Sequence, residues 1–100
     1  MSRWFRLDDD IVHDRKVQDL PPATFKGWIN ILCIASKHGG VLPSTNDIAF
    51  ALRMPVPKAS SLIQQLTLHG LIDVLDTGKL APHNWEKRQH KYDRSFSSSD

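Results

Sequence analysis

The chain lacks the features that define disulfide-rich, membrane-spanning and exported proteins. It contains one cysteine, so no disulfide can form within the chain. No apolar run reaches the roughly 20 residues needed to cross a bilayer, and the initial Met-Ser-Arg-Trp-Phe-Arg does not resemble a signal peptide. We therefore expect a soluble, cytoplasmic protein that does not associate with membranes.

The motifs of common catalytic and cofactor sites are also missing. There is no Gly-rich phosphate loop, no nucleophile elbow and no His/Cys cluster at zinc-ligand spacing. The five histidines are scattered over five segments, which is typical of surface and cap positions. The triplet Asp8-Asp9-Asp10 is expected to cap a helix rather than to bind a cation. We predict no enzyme activity, no metal and no cofactor.

Charge is nearly balanced, with a formal net charge of +2, but it is unevenly distributed. Five of the eleven acidic residues lie in the first twenty positions, and the rest of the chain is more basic. Such a distribution suits a protein that approaches a polyanion. One hundred residues with 40% hydrophobic content can form one domain with one modest core.

The strongest helical pattern follows Pro21-Pro22. These prolines end a short helix expected over residues 10–19 and open the next one. Apolar residues then recur at helical spacing over residues 25–35, so this segment is expected to be the core helix and to end at Gly39-Gly40. Cys33 lies within the apolar run and is expected to be a small buried thiol.

The most informative stretch, residues 44–82, has the order of elements typical of a winged helix-turn-helix. Ser44 and Asp47 have the spacing of a capping box, and Gly70 and Gly78 mark a helix end and a turn. The predicted elements are a strand over 41–43, helices over 45–53 and 57–69 separated by a turn over 53–56, and strands over 71–75 and 79–82 joined at 76–78. The fold class is therefore mainly α with a small β-hairpin.

The predicted winged-helix domain covers residues 1–85, with an N-terminal arm over residues 1–9. Trp4-Phe5-Arg6-Leu7 is expected to form an edge strand or an arm on the core. Trp85 is expected to fold back beside Trp4 or Trp28, where its area offsets the entropy of ordering a polar segment. Residues 86–100, basic and then Ser-rich, are predicted to form a largely disordered tail.

Polar side chains on the outer face of helix 57–69 are the candidate DNA contacts. Ser and Gln side chains can form hydrogen bonds with base edges in a major groove, and Gln can pair bidentately with adenine. The same pattern also fits side chains that only solvate an amphipathic helix. Leu68 lies on this side and is expected to pack against the wing. The alternative is an exposed Leu68 that meets a protein partner. The predicted contacts are Lys58, Ser60, Ser61, Gln64, Gln65, Thr77, Lys79, Lys87, Arg88, Lys91 and Arg94.

Five segments of the chain resemble the N-terminal domain of phage replisome organisers, a family of replication initiators similar to phage replication protein O and primosomal loaders. The resemblance covers roughly residues 3–95. It implies a winged-helix domain that binds origin DNA and a separate C-terminal region that engages a helicase or its loader. The segments are Trp4-Phe5-Arg6-Leu7, Val17-Gln18-Asp19-Leu20-Pro21, Gly70-Leu71-Ile72, Asn84-Trp85-Glu86-Lys87-Arg88-Gln89 and Tyr92-Asp93-Arg94-Ser95.

The chain departs from that plan after Ser95, where it continues as Phe96-Ser97-Ser98-Ser99-Asp100 instead of repeated arginines and a further domain. We expect either a fragment of an initiator or a short natural protein. The first expectation is a module that binds double-stranded DNA for a phage or prophage initiator. The alternative is a protein-interaction module, inhibitor or repressor whose partner is a replication protein or another phage or host protein. Both a monomer and a homodimer remain open.

Overall fold

The computed structural model describes residues 4–87 and 89 and shows the predicted fold class, mainly helical with one small antiparallel hairpin. Among these residues, no helix is long and apolar enough to span a membrane. Residues 85–87 and 89 also have helical backbone. The other elements are a 3-10 helix (Asp9–His13) and four α-helices: α1 (Arg15–Gln18), α2 (Pro22–Lys37), α3 (Thr45–Leu52) and α4 (Val56–Leu68). Two strands, β1 (Ile72–Val74) and β2 (Leu80–Pro82), form the hairpin.

The core forms where α2, α3 and α4 contact one another. Its largest buried side chains come from all three of these helices and from α1. Burial of each such side chain contributes about 1.5–3 kcal/mol to stability. The short α1 is therefore held to the body of the domain by its apolar face. These side chains are Val17, Trp28, Ile31, Ile48 and Leu66.

The helix-turn-helix forms as the capping signals predict. Ser44 Oγ accepts a hydrogen bond from the Asp47 backbone N–H at 3.2 Å, so α3 begins at Thr45. At its other end Arg53 adopts the left-handed conformation, with φ 56° and ψ 48°, and reverses the chain toward α4. The turn therefore depends on an arginine in a conformation that usually favours glycine.

The predicted helix over residues 10–19 is wrong, because the chain forms two shorter helices there. Asp14 separates them with an extended conformation, φ −87° and ψ 111°. Its carboxylate accepts a hydrogen bond from the Lys16 backbone N–H at 3.0 Å. A short acidic side chain that can cap a new helix competes with continuation of the previous one.

Two further expectations, a buried Cys33 and a strand over residues 41–43, are wrong. Cys33 is exposed, because the buried residues of α2 cluster on one side and Cys33 lies on the opposite side. Residues 41–43 do not form a strand, although the Leu42 backbone N–H donates to the Leu80 carbonyl at 2.8 Å. Neighbouring residues of a strand direct their N–H groups to opposite edges, and the preceding N–H on this edge, that of Gly40, donates to the Ala35 carbonyl at 2.8 Å instead.

The hairpin pairs Ile72 with Pro82, Asp73 with Ala81 and Val74 with Leu80. Because alternate residues of a strand lie on opposite faces, Ile72 and Val74 share one face and Asp73 lies on the other. Ile72 belongs to the core, and β1 contacts α4. The hairpin is thereby attached beside α4, as a wing is.

Trp85 folds back on the domain as predicted, but its aromatic partner is different. The Trp85 ring lies 5.7 Å from the Phe5 ring, centroid to centroid, whereas Trp4 is 72% exposed. Arg6 and Gln89 then join the two ends of the described chain. The Arg6 backbone N–H donates to Gln89 Oε1, and Gln89 Nε2 donates to the Arg6 carbonyl, each at 2.9 Å. The arm is therefore docked, without forming a strand.

Candidate nucleic-acid interface

The outer face of α4 presents polar side chains, as the sequence predicts. Ala59, Ile63 and Leu66 are buried on the inner face. No residue of α4 is acidic. The outer face therefore offers hydroxyl and amide groups without a carboxylate that would repel a phosphate. Its exposed polar residues are Lys58, Ser60, Ser61, Gln64 and Gln65.

A groove of about 370 Å³ runs between α2 and α4, and we call it the α2–α4 groove. Its described lining includes two lysines, Lys26 from α2 and Lys58 from α4, and no acidic residue. Within the described ranges, neither lysine forms an ion pair with a carboxylate. The groove is lined by Ala23, Thr24, Lys26, Gly27, Asn30, Leu52, Met54, Lys58, Ser61, Leu62 and Gln65.

Gly27 brings the two walls of this groove together. A Cβ atom at this position would lie 2.5 Å from Leu62 Cδ1 of α4, closer than real side chains approach. The absent side chain at Gly27 thus lets α4 pack closely on α2. As a result, Ser61 and Gln65 of α4 face the same groove as Lys26 of α2.

The predicted wing residues lie at the exposed turn of the hairpin. Thr77 Oγ1 accepts a hydrogen bond from the Lys79 backbone N–H at 3.4 Å, and both residues are exposed. Asp76, also exposed, stands beside them. The wing tip therefore combines one ammonium group with one carboxylate, and its charge is close to neutral.

Lys87 lies in a different place from the α4 contacts. It lines a second groove of about 370 Å³ behind the hairpin, which we call the hairpin groove, together with Asp73 and Glu86. Asp73 accepts a hydrogen bond from His83 Nδ1, or pairs with its charged ring, at 2.9 Å. The described linings of the two grooves share no residue. Arg88, Lys91 and Arg94 lie outside the described residues, as do all positions of the predicted tail, residues 86–100, that follow Gln89.

The sequence did not indicate three residues of the α2–α4 groove: Thr24, Lys26 and Asn30. They are polar positions on a helix interpreted only as a core helix. Lys26 and Asn30, four residues apart, lie on one side of the helix, whereas Thr24 is about 160° around the helix from Lys26. Nothing local shows that α4 packs beside these positions. Only the tertiary contact at Gly27 brings them next to α4.

Large apolar side chains are also exposed near the helix-turn-helix. Phe50 of α3 is 86% exposed and Leu68 of α4 is 74% exposed. The expectation that Leu68 packs against the wing is therefore wrong. It lies on the outward side of the last turn of α4, where rotation of the helix carries it away from the core.

The acidic triplet caps the 3-10 helix as predicted. Asp8 Oδ1 accepts a hydrogen bond from the Asp10 backbone N–H at 3.0 Å. Carboxylate oxygens of Asp8, Asp9 and Asp10 lie within 4.8 Å of one another. Exposed acidic groups are common at such helix starts because they interact favourably with free N–H groups.

No family model, curated protein or solved structure matches the chain. The resemblance to phage replisome organisers therefore stays a prediction from the sequence.

Proposed function

We propose that the chain is a winged-helix module that binds double-stranded DNA, with α4 as its recognition helix. The observation that carries the proposal is the outer face of α4, which exposes Ser61, Gln64 and Gln65 and has no carboxylate. A helix of 13 residues is about 20 Å long, enough to follow the major groove across several base pairs.

The neighbouring elements supply the other contacts that such a module needs. Lys58, in the first turns of α4, would hold a phosphate while amide groups of α4 address base edges. The wing, attached beside α4, would place Thr77 and Lys79 along the backbone of the same duplex. The proposed role, in line with the resemblance described above, is origin recognition by a phage or prophage replication initiator in the cytoplasm.

The alternative is a protein-interaction module, and the exposed Phe50 and Leu68 favour it. Aromatic side chains such as Phe are enriched at protein interfaces, and exposed apolar surface is one mark of an interaction site. Net charge is modest, at +2, which leaves room for a protein partner instead of a polyanion. A Phe50→Ser, Leu68→Ser variant would remove both anchors while leaving the polar face of α4 unchanged.

A duplex titration at several salt concentrations tests the proposal. Fluorescence anisotropy with a labelled random duplex should give an affinity that falls linearly, in logarithmic form, as salt rises, because phosphate neutralisation releases counterions. The Phe50→Ser, Leu68→Ser variant should bind this duplex as the parent does. Absence of binding to random or selected duplexes at low salt would contradict the proposal and favour a protein partner.

Base contact is tested separately with a duplex selected from a random pool. Gln64→Ala should weaken binding to the selected duplex by about 1–3 kcal/mol and leave binding to random DNA almost unchanged. Its melting temperature should equal that of the parent, because Gln64 is exposed. Equal losses on both duplexes would argue against a base contact at this position.

A further inference from the structure

We infer that the α2–α4 groove holds one phosphodiester strand of the bound duplex, between Lys26 on α2 and Lys58 on α4. The inference depends on the proposed function and extends it. It assigns DNA contacts to α2, which the sequence did not indicate, and it separates the residues of α4 that meet the backbone from those that meet the bases.

Charge distinguishes this groove from the other two described grooves on the surface. The hairpin groove is lined by Asp73 and Glu86 with one lysine, Lys87. The groove between α2 and α3 is lined by Asp47 with one lysine, Lys37. The α2–α4 groove has two lysines and no acidic residue in its described lining. A phosphodiester strand carries one negative charge per nucleotide, so the α2–α4 groove is the most favourable of the three for it.

The remaining polar groups of the groove also suit phosphate. Thr24 and Asn30 come from α2, and Ser61 and Gln65 come from α4. Hydroxyl and amide groups of this kind make a large share of the hydrogen bonds between proteins and DNA backbones. Leu52, Met54 and Leu62 line the groove between them and can contact the apolar faces of the sugars.

This placement divides the polar face of α4 into two parts. Ser61 and Gln65 line the groove, whereas Gln64 does not. Residues 64 and 65 are separated by about 100° around the helix, so their side chains address different parts of a bound duplex. Gln65 is thereby assigned to the phosphate backbone, and Gln64 is assigned to the base edges.

The first test compares two lysines of the same helix. Lys26→Gln should weaken binding to a random duplex fivefold to tenfold at about 0.1 M salt and reduce the salt slope by about 0.9, the loss of one phosphate contact. The control, Lys37→Gln, makes the same change in net charge 11 positions along α2, about 16 Å away. It should weaken binding less than twofold. Melting temperatures of both variants establish that they are folded.

The second test adds charge without removing a lysine. Asn30→Asp places a carboxylate in the groove and should weaken binding at least as much as Lys26→Gln. The control, Asn46→Asp, makes the same isosteric change on the exposed side of α3, outside this groove. Gln65→Ala should weaken binding to random and selected duplexes equally, in contrast to Gln64→Ala.

Three outcomes would overturn the inference. If the groove variants and their controls weaken duplex binding equally, the effect is general electrostatics, and the proposed function survives without this groove. If Lys26→Gln weakens binding to a single strand more than to the duplex, the groove takes an unpaired strand instead. If the parent chain binds no duplex at low salt, the proposed function itself fails.

Discussion

The α2–α4 groove and the hairpin groove are alike in construction and different in charge. Each has a volume of about 370 Å³, and each contains a glycine in close approach to a large apolar side chain. Gly27 meets Leu62 in the first groove, and Gly40 meets Trp85 in the second. Packing alone therefore produces two similar concave surfaces on this small domain.

The difference lies in the side chains at the edges. Two lysines border the α2–α4 groove, whereas the hairpin groove combines Lys87 with Asp73 and Glu86. The two grooves have similar volumes, so their charge and not their shape makes the α2–α4 groove the better site for a polyanion. The hairpin groove also has a structural role, because Trp85, which lines it, packs against Phe5 of the N-terminal arm.

The largest expected effect comes from removing a wall of the hairpin groove. Trp85→Ala should lower the free energy of unfolding by about 3 kcal/mol, the low end of the range for emptying an aromatic site, because the indole is half-buried. The control, Trp4→Ala, removes an exposed indole and should cost under about 1 kcal/mol. Urea denaturation measures both. Equal losses would mean that Trp85 does not anchor the C-terminal segment.

The next largest effect on stability is expected from alanine substitutions at the two glycines, one in each groove. Gly40 has φ +94°, and an added Cβ would lie 2.5 Å from the rigid indole of Trp85. Gly40→Ala should therefore destabilise the domain by about 2 kcal/mol. At Gly27 the backbone is helical and the obstacle is the flexible end of Leu62, so the helix propensity of alanine offsets the clash. Gly27→Ala should stay within about 1 kcal/mol of the parent.

Thermal denaturation of the two alanine variants distinguishes these cases. A larger loss at Gly27 than at Gly40 would show that the contact between α2 and α4 cannot adjust. In that case the α2–α4 groove would be the more rigid of the two surfaces, opposite to the order expected here.

A smaller effect is expected where the chain ends meet. Gln89→Ala removes two hydrogen bonds to the backbone of Arg6 and should cost about 1 kcal/mol in the free energy of unfolding. Gln18→Ala is the matched control, because the exposed Gln18 makes a single bond to the Ile11 carbonyl. It should cost under about 0.5 kcal/mol. If the two variants are equally stable, the Arg6–Gln89 contact contributes nothing to docking of the arm.

The smallest effect tests charge alone. Asp73→Asn with Glu86→Gln changes the net charge from +2 to +4 and removes the carboxylates of the hairpin groove. Affinity for a random duplex should rise about twofold to threefold at low salt. Loss of the half-exposed pair with His83 should cost under about 1 kcal/mol. The control variant, Asp9→Asn with Asp19→Asn, makes the same change in net charge outside the hairpin groove. An equal gain in duplex affinity for this variant would show that the position of the carboxylates in the hairpin groove has no effect.

Local patterns in the sequence predicted the central part of the fold correctly. Ser44 with Asp47 begins α3, Pro57 lies in the first turn of α4, and Gly70 and Gly78 allow the chain to reverse around β1. These signals involve neighbouring residues only, so they act in the same way before and after the chain folds. Segments of the sequence resemblance also converge, because Phe5 meets Trp85 and Arg6 meets Gln89.

The errors arise where two local preferences compete or where rotation decides the outcome. Asp14 could continue one helix or cap another, and the cap prevails. Cys33 lies within an apolar run, but a helix buries only the side that meets a neighbour, and Cys33 lies on the other side. Leu68 is on the outer side, as expected, but the wing does not cover it.

By itself, the sequence determined the order of helices and hairpin, the capped helix-turn-helix and the polar, carboxylate-free face of α4. The packing of the elements, by contrast, placed Lys26 of α2 and Lys58 of α4 in the lining of one groove, and Lys87 in another with Asp73 and Glu86. Capping and periodicity act over a few residues, whereas a groove requires two helices that pack together, here with Gly27 against Leu62, 35 positions later in the chain.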